Sequence, residues 1–173
     1  SDANVNKMLG FDRKASDYKS KLTENEILSY SSYIDDTGET ILATPMVIDI
    51  KLPVEWKKAE ANIFQTFNES RNSTVLCLKA PSIYKISDGF VLNDNTHARL
   101  NTKGVRSDLS GWKNCAYKTA KGYDSTIYYS YNDESNFSIY AYIKLNSEYV
   151  IGLNIFDSIE NRAQTIDILD TVT

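Results

Sequence analysis

Two cysteines and one histidine are the residues of this chain best suited to nucleophilic chemistry. They are Cys77, Cys115 and His97, and a thiol enzyme needs a cysteine held as thiolate by a nearby imidazole. His97 lies in a polar run at residues 93–99, whereas Cys77 lies in an alternating apolar segment. A solvated histidine and a buried thiol are therefore the simpler interpretation. A small thiol-dependent hydrolase that uses one cysteine with His97 stays as an alternative.

The same two cysteines also form a disulfide candidate. Cys77 and Cys115 fall on separate predicted strands, and a bridge that closes so long a loop would stabilise the fold by about 4 kcal/mol. Two buried thiols are equally compatible with the sequence. One histidine and two cysteines do not make the ligand set of a zinc site, so we predict no metal and no cofactor.

Carboxylates cluster in two predicted turns, at Asp35, Asp36 and Glu39 and at Asp133 and Glu134. Either cluster could hold Ca²⁺ or share a proton. The EF-hand spacing is absent and Asp is a preferred turn residue, so a turn role is favoured. Phosphate-binding glycine loops and the exposed-serine elbow are absent as well.

Aromatic residues are concentrated near the end of the chain and form the candidate binding site. Tyr140 and Tyr142 alternate with apolar residues on one predicted strand, Tyr128 lies on the preceding strand, and Trp112 opens an earlier one. Together they could form an exposed platform for a partner. The alternative is ordinary cross-strand pairing beneath a covering helix, which stabilises a sheet by about 0.2–1 kcal/mol per pair.

These residues must be positioned by strands, because a period of two dominates the sequence. Aspartate and glycine at residues 35–38 supply the turn of a hairpin, and residues 126–156 predict an antiparallel meander of three strands. The predicted strands are residues 27–34, 39–43, 46–52, 72–79, 126–131, 137–145 and 148–156.

A helical period appears at the end of the chain, where Asp157 and Glu160 have the spacing of a capping box. The apolar stripe of this predicted helix is Ile159, Ala163, Ile166, Leu169 and Val172. Residues 56–67 favour a helix over a short strand. Residues 80–111 show no clear period, so a binding loop would lie there.

Length and charge bound the class of protein. The 173 residues are 42% hydrophobic, which suits one domain with a core, and we assign residues 1–22 to a flexible tail or tether and residues 23–173 to a single domain. A net charge of −4 gives no driving force for nucleic-acid binding. No apolar run reaches the roughly 18 residues of a membrane helix.

The order of these parts resembles a known family. Residues 48–56 read as a strand that runs into a proline and a tryptophan, Ser110, Gly111 and Trp112 open another strand, and residues 137–156 precede a closing helix. This order is similar to that of the PsbP-like fold family, which includes an extrinsic photosystem subunit, a Ran-binding nuclear-import factor and bacterial lipoproteins of unassigned function. The resemblance implies an α+β fold, an antiparallel β-sheet with helices packed on both faces, and no catalytic residues.

Together these observations predict a non-catalytic binding or accessory domain. A surface rich in Asn, Ser, Thr and Tyr favours export, so we expect an extracellular protein or a membrane-anchored lipoprotein. The expected partner is another protein or a cell-envelope component. The alternatives are the thiol hydrolase and a structural stalk domain of a larger envelope protein.

Overall fold

A computed structural model describes residues 21–34, 37, 40–60, 63–69, 72, 73–85, 90–92, 98–100, 104–105, 112–131, 136–158 and 162–173. The first 20 residues of the predicted tail lie outside the described residues. The described residues form twelve strands and one helix. The strands are β1 (Leu22–Ile34), β2 (Thr40–Pro53), β3 (Lys57–Glu60), β4 (Ile63–Asn68), β5 (Ser73–Lys85), β6 (Phe90–Leu92), β7 (Ala98–Leu100), β8 (Gly104–Val105), β9 (Lys113–Lys118), β10 (Asp124–Tyr131), β11 (Asn136–Lys144) and β12 (Tyr149–Ser158), and the helix is α1 (Arg162–Leu169).

Nine strands form one large sheet, whose main path runs β2-β1-β5-β12-β11-β10-β9. β3 and β4 form a hairpin attached to β5, and β6, β7 and β8 form a separate small sheet. Pairing is antiparallel except between β1 and β5, which meet in parallel at Ser31 and Ile83. The sheet therefore has β2 at one edge and β9 at the other.

The meander predicted for residues 126–156 is confirmed. β10, β11 and β12 pair antiparallel in a regular register, with Ile127 opposite Ala141 and Ile139 opposite Ile155. These four side chains are fully buried. Alternation over three successive segments was a sufficient signal, because one face of each strand is mostly apolar or aromatic.

The expected fold class is wrong. Instead of an α+β sandwich with helices on both faces, the described residues are mostly antiparallel sheet with a single helix of eight residues. The helix favoured for residues 56–67 is a β-hairpin. In the structure Phe64 is buried, at 1% exposure, whereas Phe67 is 57% exposed. Trp56, Ile63 and Phe67 have the spacing of an apolar helix face, but they do not form one.

The segment 80–111 is not irregular throughout. β5 continues as far as Lys85, and β6, β7 and β8 follow. These three short strands pair antiparallel, Val91 with Arg99 and Leu100 with Gly104. Strands of two or three residues are too short to show a period of two.

The predicted closing helix is confirmed as α1, although its N-terminus differs from the prediction. Asp157 belongs to β12, and its Oδ2 accepts a hydrogen bond from Gln164 Nε2 at 3.0 Å. Glu160 lies outside the described residues. The helix is buried on more sides than its apolar stripe indicated, because Gln164 and Thr165 are 1% and 0% exposed beside the 3% of Ile166.

The large sheet curls around α1. The residues of α1 and of the turn after it that enter the core are Ile166, Ile168, Leu169 and Val172. The same core cluster takes side chains from β1, β2, β5, β10, β11 and β12: Ile27, Ile48, Ile50, Leu52, Leu78, Ile127, Phe137, Ile139, Ala141, Ile143, Ile151, Leu153 and Ile155. The helix itself packs against the edge strand β2 and against β11 and β12 in the middle of the sheet, as expected of a sheet that curls around it.

The outer edge of β2 is protected against pairing with another chain. Asp49 exchanges two backbone hydrogen bonds with Thr173, both 3.0 Å long, so its N–H and C=O point away from β1. In the regular part of the β1–β2 register, the backbone groups of every second residue of β2 point to this outer edge. The positions that do so include Pro45, Val47 and Pro53. Prolines offer no N–H to an added strand, as expected of a protected edge.

Candidate functional site

The tyrosines expected to form an exposed platform are buried. Tyr140, Tyr142 and Tyr128 are 0%, 1% and 0% exposed. The rings of Tyr140 and Tyr142 lie 4.7 Å apart, and those of Tyr128 and Tyr142 meet edge to face at 6.0 Å. The expectation of an exposed platform is therefore wrong, because both faces of β10–β12 are covered.

Trp112 does not join this cluster. It is partly buried just before β9, and no ring contact links it to the three tyrosines among the described residues. Tyr128 lies directly opposite Tyr140 in the register. The rings pair across the strands, as in the alternative that the sequence left open. The covering helix of that alternative is not found among the described residues, since α1 joins the core on the opposite face with Ile139 and Ala141.

The cysteines are not bridged. Cys77 on β5 is buried and Cys115 on β9 is partly buried, and neither forms a disulfide bond. β12, β11 and β10 lie between their strands in the sheet. The predicted hydrolase partner His97 lies outside the described residues.

Cys77 is a poor nucleophile in this environment. Its pKa is raised to about 12, mainly by burial and also by the charge of Asp157, while a hydrogen bond with the backbone of Thr66 acts in the opposite direction. Its Sγ lies 3.5 Å from the carbonyl oxygen of Val75, to which the thiol donates. With such a pKa, the thiolate fraction at pH 7 is on the order of 10⁻⁵.

The two carboxylate clusters predicted at residues 35–39 and 133–134 lie outside the described residues. In the part of the chain that the structure describes, no group of three or more His, Cys, Asp or Glu side chains is placed to hold a metal ion. Over the same residues, no helix is long and apolar enough to span a membrane.

A cleft of about 590 Å³ opens at one end of the β1–β2 pair. Its lining comes from four separate parts of the chain, namely β1, β2, the turn between β9 and β10, and the segment after α1. The lining residues are Glu24, Asn25, Glu26, Asp49, Ile50, Lys51, Lys121, Thr171 and Thr173. This volume lies within the range of small-molecule sites, but the lining is mostly polar.

The β-register arranges the charges of the cleft. Glu26 lies directly opposite Asp49, and Glu24 lies opposite Lys51. Because the backbone groups of Asp49 point to the other side, Glu26 and Asp49 form the close, non-hydrogen-bonded type of pair. Like charges in direct opposition destabilise a sheet.

None of the charged side chains of the cleft forms an ion pair with a described residue. The ion pair that the described residues contain joins Lys118 and Asp124 at 3.7 Å, on the exposed surface of the β9–β10 hairpin. The cleft therefore presents carboxylates of Glu26 and Asp49 and the ammonium group of Lys121 to solvent. It contains no cysteine, histidine or serine among its lining residues.

Residues 170–173, which we call the strap, form one wall of the cleft and are held at both ends. On the β2 side, Lys51 N–H donates to Thr171 Oγ1 at 2.8 Å, beside the backbone pair of Thr173 with Asp49. On the β9 side, Asp170 Oδ1 accepts from Tyr117 Oη and from Ala120 N–H, each at 2.8 Å.

Sequence reasoning missed this cleft. The alternation at residues 23–27 could have extended the first predicted strand and placed Glu24 and Glu26 on its outer face. No local pattern could have brought Lys121 and Thr173 to the same place, because their proximity depends on the curl of the sheet.

Comparisons with family models, curated proteins and solved structures found no match for this chain. The resemblance to the PsbP-like family accordingly stays a prediction that rests on the order of the strands and the closing helix.

Proposed function

We propose that this protein is a non-catalytic binding domain whose cleft takes a ligand carrying both an ammonium and a carboxylate group, such as an amino acid or a short peptide. The observation that carries the proposal is the set of charges of both signs in the cleft, none of which has an ion-pair partner among the described residues. Glu26 and Asp49 suit the ammonium group, and Lys51 and Lys121 suit the carboxylate.

The opposition of Glu26 and Asp49 supports a binding role. Two carboxylates placed directly opposite each other on neighbouring strands destabilise a sheet, and an arrangement that lowers stability without a structural benefit is typical of a functional site. An ammonium group placed between them would relieve the repulsion. The site would therefore favour a cationic group over a neutral one.

The thiol hydrolase has less support. Cys77 is 4% exposed and its pKa is raised to about 12, whereas a catalytic cysteine needs an accessible thiolate. No specific observation favours a structural stalk domain. We keep export, as an extracellular protein or a membrane-anchored lipoprotein, as part of the proposal because of the Asn-, Ser-, Thr- and Tyr-rich surface, and the ligand would then come from the cell exterior or envelope.

The test is an amide chemical-shift titration of isotope-labelled protein with the dipeptide Gly-Gly and with the same dipeptide acetylated at its N-terminus and amidated at its C-terminus. We expect the charged form to shift the amides of residues 24–26, 49–51 and 121, and the capped form to leave them unchanged. Equal shifts from both forms, or no shift from either at millimolar concentration, would contradict the proposal.

A matched pair of variants separates binding from folding. Glu26→Gln combined with Asp49→Asn removes the carboxylate charges and should weaken binding while leaving stability equal or slightly higher, because the repulsion is gone. Asp124→Asn changes an exposed carboxylate outside the cleft and should not alter binding.

A further inference from the structure

The two edges of the large sheet are joined by the strap and not by pairing with each other. β2 and β9 lie at opposite ends of a path of seven strands. Laid flat, six steps between neighbouring strands would separate them by about 29 Å. Four residues reach about 14 Å at most, so the strap can contact both edges only because the sheet is curled.

The two ends of the strap bind by different chemistry. At the β2 edge, Thr173 makes a pair of backbone hydrogen bonds with Asp49, as an added antiparallel strand would. At the β9 edge, the Asp170 carboxylate accepts from the Tyr117 hydroxyl and from the Ala120 amide. Hydrogen bonds to a charged acceptor are stronger than neutral ones.

The two residues in the middle of the strap, Thr171 and Val172, are also anchored. Val172 is 0% exposed and belongs to the core, and its N–H donates to Leu169 at 3.3 Å. Thr171 Oγ1 donates to the carbonyl oxygen of Ile168 at 2.7 Å while it accepts from Lys51 N–H. Only three peptide units separate Asp170 from Thr173, so the strap links the two edges of the sheet directly.

We propose that the strap is a two-ended clasp that gates the cleft: release of Asp170 from the β9 edge also releases Thr171 and Thr173 from β2. Since Thr171 and Thr173 line the cleft, opening of the clasp removes one of its walls. The gating of ligand binding rests on the proposed function. The coupling of the two edges does not.

Hydrogen exchange measured amide by amide tests the coupling in the unliganded protein. In Asp170→Ala we expect exchange to accelerate about tenfold at Ala120, which loses its acceptor, and also at Asp49 and Lys51, which lie at the other edge. Tyr117→Phe keeps the ring but removes the hydroxyl, which lies 2.8 and 3.1 Å from the two carboxylate oxygens of Asp170, so it should produce the same pattern with a smaller factor. Asp124→Asn on the same hairpin serves as the control and should change none of these amides.

Two results would overturn the clasp. If Ala120 exchanges faster while Asp49 and Lys51 keep their protection, the two ends act independently. If the amide of Ala141 in β11 accelerates by the same factor in Tyr117→Phe, the variant opens the whole sheet and the strap is not a local device.

Titration with Gly-Gly separates this inference from the proposed function. If the wild-type protein does not bind the dipeptide, the proposed function fails, and the exchange coupling still decides the clasp. If wild type and Asp170→Ala bind it equally well, the cleft binds as proposed and the gating is refuted. We expect binding by the wild type and at least tenfold weaker binding by the variant.

Discussion

Replacement of Ile166 by alanine tests whether α1 is the centre around which the sheet is built. Ile166 is 3% exposed and packs in the same core cluster as Ile168 and Leu169. Truncation of a buried isoleucine costs about 2–5 kcal/mol, and the larger values occur where the surroundings cannot collapse into the cavity. The neighbouring helix residues Gln164 and Thr165 are buried as well, so we expect a loss of about 3–5 kcal/mol.

Urea denaturation followed by circular dichroism measures this loss as a lower midpoint with an unchanged slope. Val54→Ala is the matched control, because Val54 is 44% exposed and its truncation should change stability by less than about 0.5 kcal/mol. If Ile166→Ala lowered stability by less than about 1 kcal/mol, the helix would be peripheral and the description of a sheet curled around it would be refuted.

The remaining predictions concern a tyrosine, a cysteine and the β3–β4 hairpin. Burial, the hydrogen bond to Asp170 and the charge of Asp170 raise the pKa of Tyr117 above its ordinary value, so its contribution to stability is complete below about pH 10 and is lost at higher pH. The stability gap between wild type and Tyr117→Phe should therefore shrink above that pH in denaturation curves, and a gap that stayed constant to pH 11 would contradict the raised pKa. Because burial raises the pKa of Cys77 to about 12, a thiol reagent at pH 7.5 should label it in the folded protein at least a hundredfold more slowly than in urea, and equal rates would show that the thiol is accessible. Phe64→Ala should cost about 3–5 kcal/mol and Phe67→Ala less than about 0.5 kcal/mol in thermal unfolding, whereas similar losses from both would favour the helix predicted for residues 56–67.

The sequence predicted the elements in which local pattern and tertiary role agree. Apolar residues alternate with other residues along β10, β11 and β12, which are long strands. The apolar residues at 163, 166 and 169 have the spacing of a helix, and they lie in α1. The helix prediction for residues 56–67 was wrong because the apolar side chains of a short, bulged hairpin happen to have a helical spacing. The bulge between Lys58 and Glu60 shifts the register by one residue, and such a shift moves side chains to the other face.

Burial of the second sheet face was not predictable from alternation. Tyr140 and Tyr142 occupy the polar positions of an alternating strand, which indicates only that they lie on the face of the sheet opposite the core. Whether that face meets solvent depends on which other segments cover it. A tyrosine is compatible with either outcome, because its ring is apolar and its hydroxyl polar.

The candidate site was the least predictable feature because it is built from four separated parts of the chain. Glu26 and Asp49 become neighbours through the register of β1 and β2. Both lie outside the predicted hairpin strands, and the bulge between Tyr30 and Ser32 shifts the register by one residue before it reaches them. Lys121 and Thr173 reach the same cleft only through the curl of the sheet and the position of the strap. No pattern within a single segment encodes that arrangement.

The dissociation constant of Gly-Gly for wild type and for the variant that combines Glu26→Gln with Asp49→Asn, measured by calorimetry, tests the proposed binding function most directly. We predict at least tenfold weaker binding in the double variant, unchanged binding in Asp124→Asn, and a double variant at least as stable as wild type. Equal dissociation constants for wild type and the double variant would contradict it.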